Sequence, residues 1–515
     1  MRILLISIIN SYKYGNTGID YIAQYLRQDN RDIVDIKYYH NGESIDDIKN
    51  NISLKYDFYG CSVFETNYKK FVDLVTFIKE HNKKCIVFFG GQFVTMNYTE
   101  ILKVNNDIDY YILGDGEKPI KRLIEHYRIK RTTLLEDINI ASKIDYENKI
   151  KNIEDHTICE SAYDYFINDS YYRNSQKTHC MLTKSNNCTG SCSFCVSRKG
   201  KIKYKDNALL IKEIKYLSKE FGVKKYFFVD DDIFDIDNDE RRECLKSLLI
   251  MIQNLHFNIA FSGFAKCKSI CNPKNYEVLQ KMSEVGFHNL FVGVDAGNET
   301  DRILYHKRST LEEGINSIRI LKEVGISPRY GMIFINPYSS IETMKENYRF
   351  LVKLKSYNYY HYGGLRVQLL SGTKLFEKVK SDGMLCNDYS FLNTDSYNFC
   401  HPEIIPITEF LKNDFIPKLD LIKNQFTTLK KIYELVVHLN VKAKHYAAIV
   451  QQYEDIEFEK LRQFFFHLYE ENDIDYCKQK SSKFILEMEN RSRIYKPIIH
   501  ELKQIYDQTP IEKDG

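Results

Sequence analysis

Asn187-Cys188-Thr189-Gly190-Ser191-Cys192-Ser193-Phe194-Cys195 places three thiols within eight residues of a Gly- and Ser-containing loop. Just before it, Cys180–Thr183 reads as a short strand. Beyond it, apolar runs at Lys225–Val229, Ile259–Phe264, Asn289–Val294, Arg329–Ile335 and Leu365–Leu369 read as further strands. Helical periodicity fills the gaps, at Ala208–Glu220, Arg241–Leu255, Asn275–Val285, Leu311–Val324 and Ile341–Leu354. Parallel neighbours are reached only through crossovers, so strands alternating with helices of this length build a parallel sheet. Six βα units in a row predict a partial (β/α) barrel over residues 176–385, open on one side, with its active site at the carboxyl ends of the strands.

The same alternation occupies residues 1–128, with strands expected at Ile3–Ile8, Ile33–Tyr38, Phe58–Val63, Cys85–Phe89 and Tyr110–Leu113. Amphipathic stretches such as Ile19–Leu26 and Phe71–Ile78 lie between them, which predicts a doubly wound parallel sheet. Two strand ends carry Gly90-Gly91 and Gly114-Asp115-Gly116-Glu117, where ligands of such folds bind and where glycine lets a backbone approach closely. Residues 129–175 lack a clear period and read as a linker. After about residue 386 the strands stop, and Lys-, Glu- and Tyr-rich helical periodicity predicts a helical domain to residue 515.

The 515 residues suffice for two to four domains of about 100–200 residues each. A formal charge of +3, from 73 basic and 70 acidic residues, offers no field for nucleic acid or an anionic membrane surface. The tyrosines form no stacking platform for bases, and no run of about 18 apolar residues spans a bilayer. Met1–Ile8 is too short for a signal-peptide core and reads as a buried strand, so the expected location is the cytoplasm. In that compartment the 13 cysteines do not read as a disulfide framework.

Thiolates are the soft ligands that iron–sulfur clusters and zinc select. Structural zinc takes a fourth protein ligand, usually from a second paired motif, and no second Cys-x-x-Cys exists here. Cys188, Cys192 and Cys195 are therefore read as ligands of a four-iron cluster with one iron left open, a catalytic arrangement.

Cys-x-x-x-Cys-x-x-Cys with Phe194 before the last cysteine, following the first strand of a six-unit barrel, resembles the radical S-adenosylmethionine (SAM) superfamily. The acidic exit Asp230-Asp231-Asp232, the Gly293-Val294-Asp295-Ala296 strand end, Ile333–Pro337 and Ser371-Gly372-Thr373 extend the likeness over about residues 176–385. Asp295 and Ala296 stand where the family usually carries Glu and Ser. The resemblance implies a [4Fe-4S] cluster whose open iron binds SAM and cleaves it reductively to a 5′-deoxyadenosyl radical. Phe194, Asp230, Asp231 and Asp295 would lie at the cofactor. Arg329 and Arg366 begin strands and can grip a carboxylate bidentately, or serve as salt bridges.

Gly90-Gly91-Gln92, Thr95 and Asp109–Glu117 resemble the cobalamin-binding, Rossmann-like domain that precedes many such barrels. Ser62, Glu65, Gly90, Gly91, Gln92, Gly114, Gly116 and Glu117 would then line the corrinoid. No Asp-x-His-x-x-Gly is present to ligate cobalt from below, and Gln92 stands where His is frequent. The activity implied is hydrogen abstraction from an unactivated carbon, leading to cobalamin-dependent methylation of a peptide or small biosynthetic intermediate. The alternatives are cyclisation, ring contraction, epimerisation or methylthiolation without methyl transfer, and a non-catalytic iron–sulfur redox sensor. A flavodoxin or ferredoxin would be the electron donor. Cys267 and Cys271 follow the third strand and read either as catalytic thiols or as small buried residues.

Overall fold

Strand β1 (Arg2–Ile9) is buried along seven of its eight residues, as a parallel strand covered on both faces must be. In this computed structural model, which describes residues 1–9, 17–105, 107–129, 137–144, 146, 179–197, 202–234, 239–420 and 428–512, it centres a sheet. β2 (Ile33–His40), β3 (Phe58–Ser62), β4 (Ile86–Gly90) and β5 (Tyr110–Ile112) join it in the order β2-β1-β3-β4-β5, all parallel. Every expected N-terminal strand is present within two residues of its reading. β6 (Ile140–Ala141), inside the stretch read as linker, adds an antiparallel edge. Most of that linker lies outside the described residues. The strand order reverses between β1 and β3, the place where doubly wound sheets open a ligand crevice.

The chain forms two compact units, Met1–Ser185 with Lys203–Val223, and Asn186–Ile202 with Lys224–Gly515. The first holds β7 (His179–Leu182) and β9 (Lys203–Tyr204); the two-residue β8 (Ser185–Asn186) stands at the division. The helix Asn207–Phe221 counts with the first unit. Lys205, fully buried, joins it to the first sheet's helix Thr17–Arg27 by bonds to Glu213 (2.7 Å) and the Tyr21 hydroxyl (3.0 Å).

In the second unit β10 (Lys225–Phe228), β11 (Ala260–Lys266), β12 (Phe287–Asp295) and β13 (Ser327–Met332) run parallel in sequence order, with helices as crossovers. The sixth segment read as a strand is reduced to one parallel bridge, Ile335 to Arg366, with Val367 N–H donating to Ile335 C=O at 2.9 Å. Its partner segment runs into Pro337, which has no N–H to continue a ladder. The helices past residue 400 pack onto this unit: Phe415, Phe464, Phe465 and Tyr469 share a core with Phe334, Tyr348 and Tyr362. A second core joins Leu435 and Val436 to Leu502 and Ala260.

Candidate active site

The three-cysteine loop owes its shape to main-chain bonds at its middle. Ser193 N–H donates to Tyr305 C=O (2.9 Å) and its hydroxyl to Leu304 C=O (2.6 Å), while Leu375 N–H donates back to Ser193 C=O (2.9 Å). Phe194 packs edge-on against Tyr305, ring centroids 5.4 Å apart, in a small core with Ala296, Val367 and Leu369. Tyr305 in turn accepts from the Asn336 amide at 2.8 Å. The loop is thereby strapped to the carboxyl end of the second sheet, where barrels of this kind react.

Gly190 N–H donates to Cys188 Sγ at 3.2 Å and Ser197 N–H to Cys195 Sγ at 3.3 Å. A Cβ at Gly190 would stand 3.2 Å from the Cys188 sulfur, so a side chain there would crowd it. Among the described residues no three His, Cys, Asp or Glu side chains are already gathered as a metal site. Three thiols in one short loop, two of them accepting backbone N–H groups, suit a cluster ligated at three irons.

Two lysines absent from the expected site stand beside this loop. Lys266, the last residue of β11, donates to Thr189 Oγ1 (2.9 Å) and lies 3.4 Å from Asp232. Asp232 is buried and accepts from Ser269 (2.7 Å); burial raises its pKa, with Lys266 opposing. Lys307 donates to Asp295 (2.6 Å) and to Gly293 C=O (2.9 Å), and its charge is felt by Cys192 and Cys267. Position in the sequence marks Lys266, which ends β11, but not Lys307, which lies twelve residues past the end of β12 and beyond the helix Glu299–Leu304.

The expected cofactor residues divide. Asp230 is buried at the β10 exit, and Asp231 is exposed and accepts from Ser197 (2.8 Å). Asp295 ends β12 at a bulge with φ 64°. Its carboxylate lies over the glycines of two strands, where Cβ atoms at Gly293 and Gly331 would come within 3.2 and 3.1 Å of it. Cys267 donates to Gly293 C=O (3.4 Å) and Cys271 to Glu313 C=O (3.3 Å). Burial pushes the two thiols up to about 11 and about 12, so both stay protonated at neutral pH. Arg329 lies near the amino-terminal end of β13, paired with Glu434 at 2.7 Å. Arg366 donates to Thr408 C=O at 2.9 Å.

In the first unit the expected residues share one edge. Ser62 ends β3 and pairs in register with Gly90, the end of β4. Glu65 opens the turn after β3, and Gln92 and Glu117 open the helices after β4 and β5. Gly91 (φ 107°) and Gly114 (φ 81°) take conformations that favour glycine, and Thr95 ties them, its hydroxyl donating to Gly91 C=O and accepting from Gly114 N–H, both at 3.0 Å. Gly116 serves packing instead, since a Cβ there would meet Ile22 at 2.8 Å. A row of strand ends closed by Ser62, Gly90 and Gly114 leaves the sheet edge low, which fits a broad, flat corrinoid.

Comparison with known proteins agrees with both halves. The B12 binding domain model matches residues 10–124, and the Radical SAM superfamily model matches residues 182–351. An uncharacterized methyltransferase, PH0819 of Pyrococcus horikoshii, is 24% identical over 54% of this chain and 60% of its own. The anaerobic magnesium-protoporphyrin IX monomethyl ester cyclase of Rubrivivax gelatinosus is 22% identical over 64% of this chain and 60% of its own. The chain thus spans about 60% of the length of these curated relatives. The structure of the cobalamin-dependent SAM radical enzyme OxsB, with aqua-cobalamin and SAM bound, superposes with a TM-score of 0.72. That match covers 98% of this chain and 80% of OxsB at 15% identity, a likeness of fold. Along the chain, a match to the B12 binding domain is thus followed by a match to the Radical SAM superfamily.

Proposed function

We propose that the protein is a cobalamin-dependent radical SAM methyltransferase that alkylates an unactivated carbon of a peptide or small biosynthetic intermediate. The observation that carries this reading is the three-cysteine loop strapped to the carboxyl end of one sheet, in a chain whose other sheet ends in a glycine-lined edge. Cys188, Cys192 and Cys195 would ligate a [4Fe-4S] cluster, and Ser62, Gly90, Gly91 and Gly114 would seat the corrinoid. When bound, these groups supply the electron that cleaves SAM and the methyl group for transfer.

The chain's own residues hold and shield. Lys266 and Lys307 place positive charge beside the cluster loop, which suits the carboxylate of SAM. Asp230 and Asp231 lie on the same rim and suit its cationic and hydroxyl groups. Phe194 and Tyr305 keep water from beneath the loop. Cys267 and Cys271, held as thiols, retain the S–H bond that a hydrogen-atom donor requires. A protein reductant of the flavodoxin or ferredoxin kind would supply electrons in the cytoplasm.

The test is an ultraviolet–visible spectrum of anaerobically reconstituted protein with hydroxocobalamin, compared with the Cys188→Ala, Cys192→Ala, Cys195→Ala variant. Cluster absorbance lost in the variant, corrinoid bands that survive desalting, and label passing from methyl-labelled SAM to product are expected. Cluster without corrinoid would favour radical chemistry without methyl transfer, as the cyclase relative's name allows. Cluster absorbance with no formation of 5′-deoxyadenosine on reduction would indicate a redox sensor. Absence of a cluster in the wild type would sink the proposal.

A further inference from the structure

The second unit contains a cavity of about 640 Å³, within the range of small-molecule sites. It lies at the amino-terminal ends of β12 and β13, bounded by His288 and Ser327, and is closed by the helices Thr428–Leu439 and Ala447–Tyr469. On β12 the cavity wall runs from His288 to Phe291, seven and four residues from Asp295, so it lies roughly 13–23 Å from that strand's catalytic end at ~3.3 Å per residue. A molecule held here cannot be the one that reacts at the cluster loop.

Its charge is unbalanced. Lys322, Arg329, Lys355, Lys430 and Lys431 line it, against the carboxylates Glu434, Glu454 and Asp455. Glu434 is shared among Arg329 (2.7 Å), the Ser327 hydroxyl and Lys430 (3.5 Å). Lys430 also pairs with Glu454 and lies over the Tyr357 ring, 4.7 Å from its centroid. Burial holds Lys430 down to about 8, Glu434 opposing it and Lys322 and Arg329 adding repulsion. Lys322 is lowered too, by burial and then by Lys355. Like charges gathered in a half-closed space cost stability, and a bound anion would offset that cost. Phe291, Ile318 and Phe458 supply apolar wall for an organic body.

We propose that this cavity binds a small organic polyanion, a phosphorylated or polycarboxylate metabolite, at a site separate from the cluster. Lys322 and Lys355 would contact its charged groups, with Lys430 and Arg329 behind them. The site is independent of the methyltransferase reading.

Calorimetric titration of the full-length protein with inorganic pyrophosphate and with citrate tests it. Saturable binding of either at millimolar concentration is expected, and which binds better separates phosphate from carboxylate ligands. Lys322→Met/Lys355→Met should weaken binding by about tenfold or more, the worth of one charge-assisted bond, with a melting temperature no lower than the wild type's in the absence of anion, since two of the crowded charges are gone. Glu454→Gln should tighten binding by removing a competing carboxylate, an effect that a purely structural role would not produce. The Cys188→Ala, Cys192→Ala, Cys195→Ala variant should bind as the wild type does. No saturable binding of either anion, equal affinity in the double lysine variant, or loss of binding with the cysteines would overturn the proposal.

Discussion

His361 should make this protein acid-sensitive through one buried ring. Its Nδ1 faces the Ser356 hydroxyl at 2.9 Å, its Nε2 faces Tyr330 C=O at 2.9 Å, and its ring lies on that of Tyr330 at 4.5 Å. Burial pushes its pKa from 6.5 down to about 4, the bond to Tyr330 opposing. A cationic side chain depressed on folding stabilises the fold above the unfolded pKa. That contribution is lost as pH falls from 6.5 through about 4. Complete protonation corresponds to about 3 kcal/mol at ~1.36 kcal/mol per pKa unit, and between pH 8 and 5 about 2 kcal/mol of it is lost. Urea unfolding of the wild type and of His361→Gln, followed by circular dichroism at both pH values, isolates the effect because glutamine does not titrate. The wild type should lose about 2 kcal/mol more than the variant over that interval. Parallel losses, within about 0.5 kcal/mol, would show that the ring titrates alike in both states and refute the reasoning.

Three other outcomes follow from named contacts. Lys205→Met should cost about 3–5 kcal/mol by stripping buried Glu213 of its cation, whereas Lys205→Met/Glu213→Leu should recover most of the loss in thermal melts. Lys307→Met removes the cation that holds Asp295; it should cost about 2–4 kcal/mol in urea unfolding, and SAM should bind more weakly in equilibrium dialysis. Gly91→Ala puts a Cβ 3.1 Å from Val63 C=O at φ 107°; it should cost at least about 1–2 kcal/mol and reduce corrinoid retention on desalting, with cluster absorbance unchanged.

The alternation of strands and helices was legible because a parallel strand buried on both faces must be a nearly continuous apolar run, as Ile3–Ile9 is. Local chemistry was legible too. Three thiols in one short loop, or glycines at strand ends, need only chain proximity to be seen. Arg329 shows the limit, because position along a strand does not reveal which neighbour will reach it. Glu434, 105 residues later, takes Arg329 into a cavity at the amino-terminal end of the sheet. Lys307 and Lys266 went unread for the same reason, each gaining meaning from partners on other elements.

The sequence by itself determined two doubly wound or barrel-like parallel units, a helical C-terminal region and a three-thiol loop. Each of these is written in local periodicity or short spacing. Tertiary structure alone decided that Asn207–Phe221 counts with the first unit, that Asp295 turns over two glycines at a bulge, and that five cations share one cavity. Those outcomes depend on burial and charge summed over residues far apart in the chain, and no local pattern encodes such sums.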